Sequence, residues 1–327
     1  MAPPGIGFAP LYGERIRDRK VDLPLMRCHF MEIMLLAIPF PDLSPTLIEI
    51  PLGPITLPIR WYALAYIAGI ILGVWMAGRA LARPALWQNE TPAMTKERLE
   101  DFTTWLIIGI ILGGRLGYVL FYEPAYFIEN PGDILRVWTG GMAFHGGFLG
   151  VLLAGLIFAR KHSISIPKLA DLAALCAPPG ILFGRVANFI NAELWGRPTE
   201  APWGVIFPGV RAQDCPDVEG ACARHPSQLY EASLEGLVLG LILIWLAFSR
   251  GWLRTPGAIC GFFLAGYGVA RFFVEFYRVA DAQYITPDNP LGRVLFIGEF
   301  GLSMGQVLST PMILIGLSFI VIARRRA

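Results

Sequence analysis

The chain has 327 residues, of which 55% are hydrophobic and only 16% charged, with a formal net charge of +2. A soluble domain carries roughly a quarter charged residues, so this composition, with a mean hydropathy of +0.54, describes a polytopic membrane protein. It disfavours a disordered chain, a disulfide-rich secreted module and a nucleic-acid binder, and the near-neutral balance implies no polyanionic partner.

Residues 1–33 carry Arg15, Arg17, Arg19, Lys20 and Arg27 but lack the apolar stretch of roughly 7–15 residues that a signal peptide needs. This predicts either translation from Met34 or a disordered tail that packs against nothing. From Leu35 to Ile59 the chain is apolar and proline-rich without a spanning run. It reads as an outer-surface segment with room for a short interfacial helix. Apolar runs approaching the roughly 20 residues of a bilayer crossing follow near 60–80, 102–122, 143–160, 169–190, 230–248, 257–277 and 303–323. The expected fold is therefore all-α, with seven transmembrane helices in a single domain spanning residues 34–327 and a polar loop near 191–229. The third span is short, and Pro178-Pro179-Gly180 should kink or break the fourth.

Orientation follows from where lysine and arginine sit. Twelve basic residues lie after the first, third, fifth and seventh spans, against six in the longer alternate loops. The C-terminus is therefore expected in the cytoplasm and the N-terminus outside, although the basic residues of the 1–33 stretch disagree with that side. Of the five cysteines, Cys176 and Cys260 sit in apolar runs as packing residues, and Cys28 lies in the tail. Cys215 and Cys222 share one polar loop and could pair if that loop is extracytoplasmic. No cysteine or histidine spacing suits a metal.

Three arginines, Arg115, Arg185 and Arg271, fall inside spans, where each costs about 2.5–3.5 kcal/mol at mid-helix on insertion scales. Singly, each could snorkel to an interface. Together they lie at similar depths below the outer ends of their spans, alongside Tyr62, His145 and the segment from His225 to Tyr230, which predicts a polar cavity open to the outer leaflet. Helical spacing supports a shared surface. Tyr267, Arg271, Glu275 and Arg278 fall on one face, as do Arg185 and Asn188, and Gln228, Glu231 and Glu235. Asn191, Glu193 and Gly196 follow where the fourth span leaves the membrane. Gly140, Gly141, Gly146 and Gly147 surround His145 and allow close backbone approach, with helix packing as their plainer role.

The segments GRVANFINAELWGR (184–197), FHGG (144–147), HPSQLYE (225–231) and DAQY (281–284) closely resemble those of bacterial prolipoprotein diacylglyceryl transferases. So do RWY (60–62), GGRLGYVLFY (113–122), GYGVARFFVEFYR (266–278) and SMGQ (303–306). The resemblance runs from about Leu43 to the C-terminus and leaves out residues 1–33. It implies an enzyme of the bacterial inner membrane, working at its outer face without metal or organic cofactor. The diacylglyceryl group of phosphatidylglycerol would move to the lipobox cysteine thiol of a prolipoprotein signal peptide, leaving a thioether and glycerol 1-phosphate. Arg185 and Arg271 would hold the phosphate, because a guanidinium matches it bidentately, with Arg115 as a helper. Asn188, Tyr62 and Tyr267 would bind the lipid head or orient these arginines. Glu231, Glu275, Arg278, Asn191, Glu193, Gly196, Gly146 and Gly147 would support them. His145 is either the general base for the thiol or a group holding headgroup or backbone. An anion or lipid transporter would also use intramembrane arginines, but would more often show internal repeats around a midplane site; no clear repeat is present. A receptor-like bundle accounts poorly for the arginines, and no Ser/His or paired-Asp set suits an intramembrane protease.

Overall fold

The computed structural model describes residues 37–326, except 54, 216–217, 219 and 299. The expectations for residues 1–33 and Cys28 lie outside the described residues. The seven apolar runs form α1 (Trp61–Leu81), α2 (Lys96–Phe121), α3 (Phe144–Lys161), α4 (Ile166–Ile190), α5 (Ser227–Ser249), α6 (Ala258–Val274) and α7 (Met304–Arg326). Among the described residues, six of these are long and apolar enough to cross a membrane, and α6 is a shorter apolar helix of 17 residues. The chain is a multi-pass membrane protein. Its lipid-facing surface is apolar, with Ile70, Ile71, Trp75, Ile108, Leu112, Leu152 and Leu241 exposed.

Three departures from the sequence reading have local causes. The segment up to Arg60 holds no interfacial helix in its described part. It forms β1 (Ile38–Pro39) and an antiparallel hairpin of β2 (Thr46–Leu52) and β3 (Ile55–Arg60). Pro51 and Pro58 deny it helical hydrogen bonds, while Ile48, Ile50, Thr56 and Ile59 favour extended backbone. Secondly, α4 runs unbroken through Pro178 and Pro179. Both prolines are buried, Gly69 of α1 lies against Gly180, and Gly240 of α5 lies against Pro178, so neighbouring helices hold the segment in place. Thirdly, α6 stops at Val274 rather than near 277. The Tyr277 carbonyl accepts from the Arg197 amide at 2.8 Å, and Arg278 bridges to Gly196, which draws the chain out of the helix.

The helices associate in pairs, α1 with α4, α2 with α3 and α6 with α7, and α4 also packs on α5 and α6. The α2–α3 seam is made by glycine. A Cβ on Gly109 would lie 2.6 Å from the Gly150 carbonyl oxygen, and one on Gly117 would lie 2.8 Å from the Gly146 Cα. Small residues let backbones close up where lipid supplies no hydrophobic drive. At one end of the bundle an apolar core gathers Trp87, Phe158, Leu172, Leu175, Leu243, Leu253 and Ile259, each at most 1% exposed. At the other end, two small strand pairs join the loops. Parallel β1 meets β4 (Val205–Ile206), and β5 (Arg293–Ile297) pairs with β6 (Phe300–Ser303). Helix α7 then opens on a capping box, in which Ser303 and Gln306 exchange side-chain to backbone bonds at 3.1 and 3.3 Å.

Candidate active site

The polar end is assembled from helix termini. Glu231 sits in the first turns of α5, where the helix widens to a π-turn over Ala232–Val238. Such wide turns re-aim side chains and recur at functional sites. Its carboxyl meets three arginines, from α4, from α6 and from the segment after α6. Arg185 Nε of α4 lies 2.8 Å from Oε2, Arg271 Nη1 of α6 lies 2.7 Å from Oε1, and Arg278 donates to the same Oε1. Arg271 Nη2 also contacts Glu275 Oε2 at 2.9 Å, and Arg278 Nε stands 3.6 Å from that atom. Three guanidinium groups thus share two carboxylates. The Glu231 side chain is only 1% exposed, while those of Arg185, Arg271 and Arg278 keep 18–23%, so the anions form the floor and the cations face outward. Gly305 at the start of α7 makes room for Glu275, since a Cβ there would lie 2.6 Å from each carboxyl oxygen.

A second polar group adjoins the first. Arg185 Nη1 donates to Asn188 Oδ1 at 3.4 Å, and Asn188 Nδ2 donates to Glu193 Oε1 at 2.8 Å and to the Tyr62 hydroxyl. Tyr62 donates in turn to Glu193. The network therefore runs from α1 through the end of α4 and the start of α5 to the end of α6. Gly196 is held where no side chain fits, its Cβ position 2.8 Å from the His225 carbonyl oxygen. Asn191 closes α4, with its Oδ1 buried and unbonded among the described residues. Both carboxyl oxygens of Glu235, fully buried in the π-turn, are likewise unbonded.

Three residues singled out from sequence stand apart from this network in their bonding. Arg115 is buried, and its guanidinium donates to the carbonyls of Ile134 at 2.8 Å, Gly140 at 2.6 Å, Gly141 at 3.2 Å and Asp133, with its face over Phe127. It pins the α2–α3 loop. His145 is exposed in the first turn of α3 and makes no hydrogen bond among the described residues, while Gly146 lies in the glycine seam and Gly147 beside it. Tyr267, half-buried one turn from Arg271, leans on Phe263 at 5.9 Å, and its hydroxyl has no partner among the described residues.

Other residues had been given no role from sequence, although helical spacing put Gln228 on the Glu231 face. Gln228, fully buried, donates to the Glu193 carbonyl, and Arg197 Nε bonds the Arg278 carbonyl at 2.6 Å. Arg224 stacks on Trp195 at 4.1 Å and bonds the carbonyls of Ala212, Asp214 and Gly196. The motifs HPSQLYE and SMGQ already contained Gln228 and Gly305, but nothing in the spacing distinguished their roles. Cys215 and Cys222 form a disulfide in the 191–229 loop. His225 is half-buried with Nδ1 3.0 Å from the Tyr230 hydroxyl, and burial pushes its ring below the ordinary histidine range.

A family model for prolipoprotein diacylglyceryl transferase matches residues 45–322. A phosphatidylglycerol–prolipoprotein diacylglyceryl transferase of Roseobacter denitrificans is 59% identical over 290 residues, covering 89% of this chain and 99% of the relative. One of Ruegeria pomeroyi is 59% identical over 285 residues (87% and 97%), and one of Rhizobium leguminosarum is 48% identical over 294 (90% and 96%). With a match across nearly the whole membrane bundle and relatives aligned over almost their full length, the chain belongs to the prolipoprotein diacylglyceryl transferase family.

Proposed function

We propose that the chain transfers the diacylglyceryl group of phosphatidylglycerol to the lipobox cysteine of prolipoproteins, the first step of lipoprotein maturation. The observation that carries this reading is the convergence of Arg185, Arg271 and Arg278 on Glu231, with the carboxylate buried and the cations partly open. The thiol sulfur attacks the glycerol carbon, the carbon–oxygen bond to phosphate breaks, and the electron pair leaves on the phosphate oxygen. A phosphodiester brings one negative charge, and the departing glycerol 1-phosphate carries more. Fixed guanidinium groups in a water-poor site stabilise such developing charge strongly. The three guanidinium groups keep 18–23% of their side-chain surface open, which leaves donors to receive the lipid head.

The Tyr62–Asn188–Glu193 group orients Arg185 and offers hydrogen bonds beside it. Glu275 and Glu231 aim Arg271 and Arg278. Arg115, bonded to loop carbonyls, serves as the anchor of the loop that leads to His145, not as a phosphate ligand. His145 takes the thiol proton; its ring is exposed and carries no other bond among the described residues. The charge asymmetry of the loops supports a reading with the site end on the outer face of the bacterial inner membrane and the C-terminus in the cytoplasm.

The deciding assay follows glycerol 1-phosphate release from phosphatidylglycerol with a lipobox peptide as acceptor. Arg185→Ala and Arg271→Ala should each lose activity by about 100-fold or more while remaining inserted; near-normal turnover in both would overturn the charge-stabilisation reading. His145→Gln should lose the acidic limb of the pH profile, where a general base is protonated and idle, and an unshifted profile at full rate would remove it as the base.

A further inference from the structure

Asp171 is a fully buried carboxylate in the second turn of α4, at the end of the bundle opposite the site, and the reaction above makes no use of it. Its two oxygens accept from backbone amides of another helix. Gly257 N donates to Oδ2 at 2.6 Å, and Cys260 N donates to Oδ1 at 2.8 Å. Gly257 is the N-cap of α6, and Cys260 is its third residue. These are amides that a helix start leaves without internal partners, and α6 has no capping side chain of its own. Inside a membrane no water takes that place. Asp171 thus caps α6 from a neighbouring helix, and its charge suits the positive end of the helix dipole.

The sequence distances give this cap a consequence at the other end. Arg185 follows Asp171 by fourteen residues, and Arg271 follows Gly257 by the same fourteen. At 1.5 Å per residue both arginines stand about 21 Å along their helices from the point where the helices are tied. At 100° per residue fourteen steps fall about 40° short of whole turns, so both arginines lie near the faces that carry the tie. Helices α4 and α6 run in the same direction, and the two arginines arrive at equal height on one carboxylate, that of Glu231.

We propose that Asp171 is a positioning residue for the transfer reaction. By fixing the axial register of α6 against α4, it brings Arg271 level with Arg185 on Glu231. The inference rests on the reading that these arginines stabilise the departing phosphate. A one-residue slip of α6 would displace Arg271 by about 1.5 Å, and misplacement on the order of 1 Å in an active site costs up to about 100-fold in rate.

The test is a double-variant cycle in the full-length protein, using the glycerol 1-phosphate assay per inserted, monodisperse molecule. Asp171→Asn keeps the volume but turns an amide N–H₂ toward one of the two donors; Asp171→Ser, a smaller capping residue, serves if the first does not insert. The expected result is a kcat about tenfold lower, with KM for phosphatidylglycerol within about twofold. Combined with Arg271→Lys, the cap variant should cost no more than about threefold beyond Arg271→Lys alone, because register no longer matters once the positioned group is gone. A further tenfold loss in the combination, or full kcat in the cap variant, would show a cap that serves stability alone and overturn the proposal. Full activity in Arg271→Lys by itself would overturn the phosphate reading and the positioning role with it.

Discussion

The α2–α3 pair and the α4–α5–α6 group solve the same problem, holding helices together in lipid, by opposite means. In the first, Gly109, Gly113 and Gly117 face Gly146 and Gly150, and the backbones touch with no charge between them. In the second, Glu231 and Glu275 draw three arginines from two helices and the segment after α6 onto shared carboxylates. The seam depends on the absence of side chains; the knot depends on which side chains are present and how they are charged. The seam can only fix geometry. The knot holds geometry and also leaves cations partly exposed, so it can bind an anion. The difference separates the two parts of the proposed chemistry. His145 emerges from the glycine pair, and the arginines proposed to bind phosphate come from the charged group.

The comparison can be broken most forcefully at its charged side. Glu231→Ala strands three guanidinium groups whose shared partner is gone, and removing one member of a buried ion cluster costs about 3–5 kcal/mol. Thermal unfolding should show the largest drop of any variant here, with transfer lost. A transition temperature within a degree or two of wild type would mean the knot contributes no cohesion. Gly150→Ala tests the seam. Its Cβ would press on the Gly109 carbonyl group and lie 3.1 Å from the Gly113 Cα, so the helices must part. An overpacked contact costs about 1–3 kcal/mol; the expected outcome is a smaller fall in stability, with reduced turnover because the start of α3 moves. Equal losses from the two variants would erase the distinction.

The smallest effect concerns pH. His225 is half-buried, and desolvation holds its folded value below the unfolded one. Its stabilising contribution is whole above the unfolded value of about 6.5 and is lost as pH falls from there toward the folded value, where the unfolded chain binds the extra proton. Melting curves at pH 7.5 and 5.5 should therefore lie closer together in His225→Phe than in wild type. His225 is far in the chain from the seam and packs against Tyr230 and Tyr277, so Gly150→Ala should leave that pH difference unchanged.

Much of this architecture was legible in the residues. Seven apolar runs mark seven helices to within a few residues at most ends, because lipid demands length and apolarity that few other structures share. The faces carrying Arg271, Glu275 and Arg278, or Arg185 and Asn188, follow from helical periodicity alone. The hairpin before α1 was less legible, since an apolar run with prolines suits an interfacial segment as well as strands. The continuity of α4 could not be read from Pro178-Pro179, because Gly69 and Gly240 support that stretch from distant parts of the chain.

By itself, then, the sequence determined that this is a multi-pass membrane protein, where its helices lie and which of their faces are polar. Those properties depend on local composition and on a period of 3.6 residues. Only the tertiary structure decided which arginines meet. Arg115, Arg185 and Arg271 are alike in sequence, each the single basic residue of its apolar span. Arg115 ends among loop carbonyls, while the other two share Glu231. The physical reason is that a buried guanidinium is defined by its acceptors, and those acceptors are supplied by other elements: a carboxylate on α5 in one case, the peptide groups of a loop in the other.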